Sequence, residues 1–508
     1  MGAHAAAGCT LRQPLAQLDV RIVPALRIPR ARGRGARSGL GDVPQRAVDR
    51  FDLVRRRKRA IAGVDRILER VHQRRGGQPL PRGRSATRRR CGARIHPIDR
   101  RGRRHAPMGL KTTCLLGPLL FASTVHAEPA SSPPMVKVFI LAGQSNMEGH
   151  GQLRSLDRLG EHPDHGARLA TLKAADGSWA VRDDVTIAWA SRSPSHGPLT
   201  VGWGRSADEI GPELLFGTIM GEACDAPVLL IKTAWGGKDV YCDFRSPAAG
   251  EPGGHEASLL AQQAADGQPR EVGAYYRKMV SEINACLERI DEIVPGYAGQ
   301  GYDLAGAAWF QGWNDYCQWH VRIDGRPVGE EIIESYPTTL AAMFTDLRHD
   351  LGAPDLPVVV GEMGVGGEEI AVRAVDEGDH EARAIMAFRR AQAAAVAAMN
   401  DDRIVFVPTA AYWDDRLESL RRQADEHRRR KREQGIDDTE HNELPTPRLS
   451  EEYRTRGGHW YCHYNGSASN YSLVGLALAE ALLSLDPCTE ASRTDFRGRS
   501  ADSVPRSK

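Results

Sequence analysis

The first 107 residues lack most of what a folded domain needs. They hold 27 Arg and one Lys against seven acidic residues, a net of +21, and aromatic side chains are nearly absent. So little apolar content cannot offset the entropy of ordering a chain, so 1–107 is expected to be disordered or to precede the true start. Runs such as Arg55-Arg56-Arg57-Lys58-Arg59 suit a nucleic-acid arm, because clustered cations release counterions from phosphates. No finger, zipper or helix-turn-helix spacing accompanies them, however. The Arg-to-Lys imbalance equally suits a GC-rich frame translated upstream of the real start. Elsewhere too the absences are informative. The whole chain carries +3, which leaves −18 for Met108–Lys508 and makes neither nucleic acid nor an anionic membrane a natural partner. The cysteines outside the leader, Cys224, Cys242, Cys286, Cys317, Cys462 and Cys488, match no zinc spacing. There is no internal repeat.

Met108 is followed by one early cation, Lys111, an apolar stretch Cys114–Val125, and Val125-His126-Ala127 before Glu128. This is the three-part pattern of a secretory signal peptide, 108–127, and it is too short to span a membrane. The expected protein is therefore secreted or periplasmic, starts near Glu128 and makes no stable membrane insertion. In that setting six cysteines permit disulfides, with fifteen complete pairings open.

What is present centres on Met135–Gly149, MVKVFILAGQSNMEG. Val136–Ala142 is a near-continuous apolar run, the pattern of a strand covered on both faces of a parallel sheet. Gly143 ends it, and Ser145 is presented at the carboxyl edge, where open α/β folds bind ligands. Four more apolar runs, Pro227–Thr233, Leu304–Phe310, Leu356–Val360 and Arg403–Val407, alternate with helical patterns at 211–224, 275–290, 331–351, 382–399 and 471–485. That alternation predicts an α/β fold with a central parallel sheet of about five strands and right-handed crossovers. His150–Ser206 reads as loop over the sheet edge with some short strands. A charge-dense insertion occupies 414–457, and residues 487–508 form a tail expected to be disordered. The catalytic unit is thus expected over 128–486.

An ester hydrolase needs a nucleophile, a base to take its proton and donors aimed at the oxygen that becomes negative. Ser145 supplies the first. His463 is the candidate base, with His459 its rival. Gly236 or Gly237 can bring a backbone N–H close, and Asn314 offers amide donors. Gln144, Gln311, Trp235 and Trp313 are candidates for touching substrate, with Trp203 a further ring for stacking on a sugar.

GQSN at 143–146, GG at 236–237, GWND at 312–315 and the late His463 together resemble the four blocks of the SGNH hydrolases. GQSNMEG, KTAWGGK and WFQGWND most resemble the sialate O-acetylesterase-like carbohydrate esterases, which include acetylxylan esterases. The resemblance covers roughly 136–485. It implies a flavodoxin-like three-layer sandwich and acyl transfer without metal or cofactor. It also implies an oxyanion hole from the Ser145 N–H, Gly237 or Gly236, and Asn314, with an acylated carbohydrate as substrate. One departure matters: the family commonly has Asp three residues before the histidine, and this chain has Trp460. Indole accepts no imidazole N–H, so the third triad member must lie elsewhere or be missing. Glu362, directly after the fourth run, is the first substitute, and Asp414 and Asp415 follow. The expected function is removal of acyl groups, acetyl first, from carbohydrate esters. The rivals are an esterase or lipase for non-sugar esters and a sugar-binding protein that has lost catalysis.

Overall fold

The computed structural model describes residues 133–376, 378–436 and 443–488. The Arg-rich segment, the signal-like stretch 108–127 and the tail after Cys488 lie outside the described residues. Val136–Gly143 forms β1, buried along its whole length. Its neighbours are β4 (Val228–Ala234) on one side and β5 (Tyr302–Phe310) on the other, both parallel to it. β6 (Val358–Gly361) and β7 (Ile404–Val407) continue outward from β5. Beyond β4 lie β2 (Arg182–Ala188), parallel, and β3 (His196–Leu199), antiparallel, giving the order β7-β6-β5-β1-β4-β2-β3.

All five expected strands are therefore in one sheet, and two more enlarge it to seven. The two extra strands carry weak signals. Only the second half of β2 is buried, so Arg182, Asp183 and Asp184 mask its apolar run. β3 holds Pro198, which an edge strand tolerates because no partner needs its missing N–H. Without this pair the strands run in the flavodoxin-like order 2-1-3-4-5, whose chain reversal opens a crevice at the carboxyl end of β1.

Two helical layers cover the sheet. α1 (Glu213–Ala223) packs on α6 (Ala468–Leu483), while α3 (Gly329–Asp350) packs on α4 (His380–Met399), with α2 (Ala274–Glu288) beside them. α6 is buried almost all round, as its Leu/Ala/Val content requires. The charged insertion forms α5 (Asp415–Glu433), and Pro447–Arg456 is a further helix packed on it. Leu417, Leu420, Ala424, Leu444 and Tyr453 give this pair a small core of its own. Cys224, capping α1, is bonded to Cys488 just beyond α6, which ties the ends of one helical layer together. Among the described residues no helix is long and apolar enough to cross a membrane.

The register fixes the functional rim. Gly143 lies level with Ala234 on β4 and with Phe310 on β5. The three polar turns that follow these residues, 144–149, 235–239 and 311–316, must therefore meet.

Candidate active site

β1 ends at Gly143 because nothing larger fits: a Cβ there would stand 2.2 Å from the Phe310 carbonyl oxygen. The chain turns at once into a short helix, Ser145–Glu148, which lifts Ser145 onto the rim. His463 meets it there, with Nε2 3.1 Å from Ser145 Oγ. The two residues are brought together from 318 positions apart by specific ties. Asn146 Nδ2 donates to the Cys462 carbonyl (3.1 Å), and Tyr471 Oη donates to Asn146 Oδ1 (2.8 Å). The histidine turn itself bends through Tyr464 and Asn465 at φ +52° and +51°, a left-handed conformation costly for a tyrosine. Tyr464 is held there by burial against Phe310, Trp413 and Tyr471 and by the Gly364 N–H donating to its hydroxyl (3.0 Å).

Asn314 reaches the same rim through Gln144. The Gln144 Oε1 accepts from the Gly312 and Asn314 backbone N–H groups (2.9 and 3.3 Å), and its Nε2 donates to Asn314 Oδ1 (2.8 Å). With Oδ1 held this way, the planar amide presents Nδ2 on its other side. Gly236 lies against the nucleophile, its Cβ position 3.6 Å from Ser145 Cβ, and turns its N–H to the Glu148 carboxyl. Gly237 follows at φ +78° with open space around it. Burial raises the Glu148 carboxyl above the ordinary range, opposed by Arg205 and His150.

His463 sits in a stack of rings. His150 lies face to face with it at 3.9 Å between centroids and 8° between planes; His459 is 5.6 Å away and Trp460 6.1 Å, both nearly parallel to it. Burial, then the His150 and His459 imidazoles, hold His463 far below the ordinary histidine range, with Glu209 opposing. Its Nδ1 is buried and makes no hydrogen bond, and the same is true of His459 Nδ1. His150 Nδ1 faces Glu209 Oε1 at 3.4 Å. Burial alone would raise the Glu209 carboxyl, but bonds from His150 and Ser206 bring it down to about 2. The nitrogens of His150, His459 and His463 come within 4.8 Å of one another, close enough to consider a shared metal ion. The rings are stacked with planes 8° to 22° apart, however, so their in-plane lone pairs lie in nearly parallel planes, and one ion needs them to converge. The trio would have to turn before it could ligate.

The structure does not bring Glu362 to His463. It follows β6, two strands from β1, and makes no hydrogen bond to His463, whose Nδ1 has no partner. Its carboxylate accepts the Thr409 and Ala410 N–H groups (2.9 and 3.0 Å) and anchors the turn after β7. Asp414 caps α5 through the Leu417 N–H (2.8 Å), and Asp415 lines a cleft of about 670 Å³ between α5 and the 410–413 turn. Gln144 and Gln311 were expected at the substrate and are instead buried scaffolding; Gln311 bonds Asp315 and the Lys238 carbonyl. Trp235 and Trp203 are buried as well, with their ring N–H groups on Ser191 and the Pro198 carbonyl. Trp313 is half-buried against Tyr316 and Tyr461. The exposed ring of this rim is Trp460, at 65 %. His150, Glu209 and Asn146 went unread in the sequence; only Asn146 had a signal, as the last letter of GQSN.

Sheet order and rim together are those of an α/β ester hydrolase of the SGNH kind. Over residues 135–412 the chain matches the family of carbohydrate esterases described as sialic acid-specific acetylesterases. The chain belongs to this family and is a carboxylic ester hydrolase. The match takes in Ser145, Gly236, Gly237 and Asn314 and stops short of His463. Among solved structures, a protein from Arabidopsis thaliana is 18% identical, covering 54% of this chain and 86% of its own, with a TM-score of 0.31. A carbohydrate acetylesterase from Xanthomonas citri is 15% identical, covering 54% of this chain and 49% of its own, with a TM-score of 0.30. No curated protein matches the chain.

Proposed function

We propose that the protein removes acetyl groups from carbohydrate esters, with Ser145 as nucleophile and His463 as its base. The observation that carries this is the 3.1 Å approach of His463 Nε2 to Ser145 Oγ at the carboxyl end of the central strand. In this reading His463 takes the hydroxyl proton as Ser145 Oγ attacks the ester carbonyl. The oxygen that becomes negative is met by the Ser145 N–H, by the Gly237 N–H and by Asn314 Nδ2. Gly237 is preferred to Gly236 because the Gly236 N–H faces Glu148. His463 then returns the proton to the departing sugar hydroxyl, and water repeats the sequence on the acyl-enzyme.

Trp460 is the ring best exposed to stack on a sugar beside the dyad. Export is also part of the proposal: the Cys224–Cys488 disulfide suits an oxidising compartment.

The test is acetate release from O-acetylated sialic acid and from acetylated xylan, with a chromogenic acetyl ester alongside. The proposal expects turnover on at least one acetylated sugar and none from Ser145→Ala. No turnover on any ester by a folded protein would leave the sugar-binding alternative.

A further inference from the structure

The charge that His463 acquires when it takes the serine proton has no acceptor at Nδ1. A buried imidazolium without an anionic neighbour is costly, so some negative group must face it. The groups facing the ring are Ser145 and His150 from the turn after β1 and His459, Trp460 and Cys462 from its own turn, with Glu209, from the short strand Glu209–Ile210, standing behind His150 and acting on the ring by its charge. Of the carboxylates nearby, Glu148 is turned to Arg205 and Gly236, and Glu362 is occupied beyond β6. That leaves Glu209.

We propose that His150 and Glu209 take the place of the missing triad carboxylate: His150 packs its ring on the face of His463, and Glu209, 3.4 Å from His150 Nδ1, supplies the negative charge that steadies the His463 imidazolium. The inference rests on the Ser145–His463 reading above. No proton passes to Glu209. The His150 ring lies face to face with His463 at 3.9 Å between centroids, and its Nδ1 stands 3.4 Å from Glu209 Oε1, so the carboxylate is one stacked ring away from His463. Glu209 is 7% exposed and also accepts from Gln152 Nε2 at 2.6 Å, which keeps it from swinging to solvent. Backbone pairing fixes the whole assembly: Gly151 and Gln152 pair with Ile210 and Glu209, and Gln152 bridges to Ser467, at the end of the turn that holds His463. A local ladder thus sets the distance from carboxylate to catalytic ring. Both are positioning residues, since neither reaches the ester.

Glu209→Gln keeps the shape and an accepting oxygen and removes only the charge. In the acetyl-ester assay kcat should fall about ten- to a hundredfold with KM within about threefold. The acid limb of kcat/KM should move to lower pH, because His463 becomes a weaker base. His150→Phe keeps a stacked ring and breaks the link; it should act in the same direction, and the double variant should lose little more than either single one. A folded Glu209→Gln with wild-type kcat and an unmoved acid limb overturns the proposal. If Glu209→Gln does not fold, a wild-type profile for His150→Phe overturns it equally. The rate at which a fluorophosphonate labels Ser145 separates the two readings, since it needs the same proton transfer and no sugar. Labelling that is absent from the wild type removes the esterase reading itself. Labelling that is present but unslowed in Glu209→Gln removes only the His150–Glu209 role.

Discussion

Gln144→Glu changes one atom type in a fully buried side chain and should reverse the Asn314 amide. The glutamate keeps an oxygen for the Gly312 and Asn314 N–H groups, now as charge-assisted bonds. Its second oxygen, however, replaces the nitrogen that donates to Asn314 Oδ1 at 2.8 Å. Two acceptors cannot face each other at that distance, so the amide turns, gives Nδ2 to the glutamate and presents Oδ1 to the site. One oxyanion donor is worth about 3–4 kcal/mol in the transition state, or 10²–10³ in kcat. Here an acceptor also takes the donor's place, so the loss should match or exceed that of Asn314→Ala. KM should change little, because the ground-state carbonyl makes small use of the donor. Gln144→Met is the control: it leaves two buried N–H groups without an acceptor, at about 1–3 kcal/mol each, and should lower the melting temperature more than the glutamate does. Steady-state kinetics on a chromogenic acetyl ester, with a thermal melt for each variant, reads both effects. A folded Gln144→Glu protein with kcat within about threefold of wild type would refute the orientation of Asn314 argued from this contact.

Lys232 is wholly buried, bonded to Glu213 Oε2 (2.9 Å) and to the Glu148 and Trp203 carbonyls (2.7 and 2.8 Å). Lys232→Met should cost about 3–5 kcal/mol by leaving Glu213 unpaired, and Lys232→Met with Glu213→Leu clearly less; chemical denaturation distinguishes them. Because burial and the two neighbouring imidazoles depress His463, its proton binds more readily in the unfolded chain. Its contribution to stability is therefore complete above about pH 6.5 and is lost as pH falls from there toward the depressed folded value, and the acid limb of kcat/KM should lie below 6.5. An acid limb at or above 6.5 would contradict the burial argument. Cys224→Ser opens a link between residues 264 apart and should lower stability by about 2–4 kcal/mol, measured against the same variant under reducing conditions, where wild type should fall to match it.

The parts of this protein that were legible in its sequence are those where one physical demand dominates. Val136–Ala142 must be buried on both faces, and its unbroken apolar run says so; four of the other five parallel strands carry apolar runs that read the same way. β2 and β3 did not, because half of one is charged and the other carries a proline at the sheet edge. Ser145, Asn314 and the glycine pair stand at strand ends, so the strand pattern already placed them on one rim. Glu362 satisfied the same rule and was misread, since lying on the rim fixes height and leaves lateral distance open: two strands of separation turn its carboxylate to Thr409 and Ala410. The environment of His463 was illegible for a different reason. His150 and Glu209 reach it through a two-residue ladder too short for any periodic signal, one from the start of the segment 150–206, read as loop with some short strands, and the other from just beyond that segment.

The central claim is that Ser145 is acylated with His463 as its base. Quenched mass spectrometry during turnover of an acetyl ester measures this directly. The account predicts one acetyl group on the peptide containing Ser145 in the wild type, none in Ser145→Ala, and accumulation slowed by at least about 10²-fold in His463→Ala. Acetylation at another residue, or at Ser145 with an undiminished rate in His463→Ala, would contradict it.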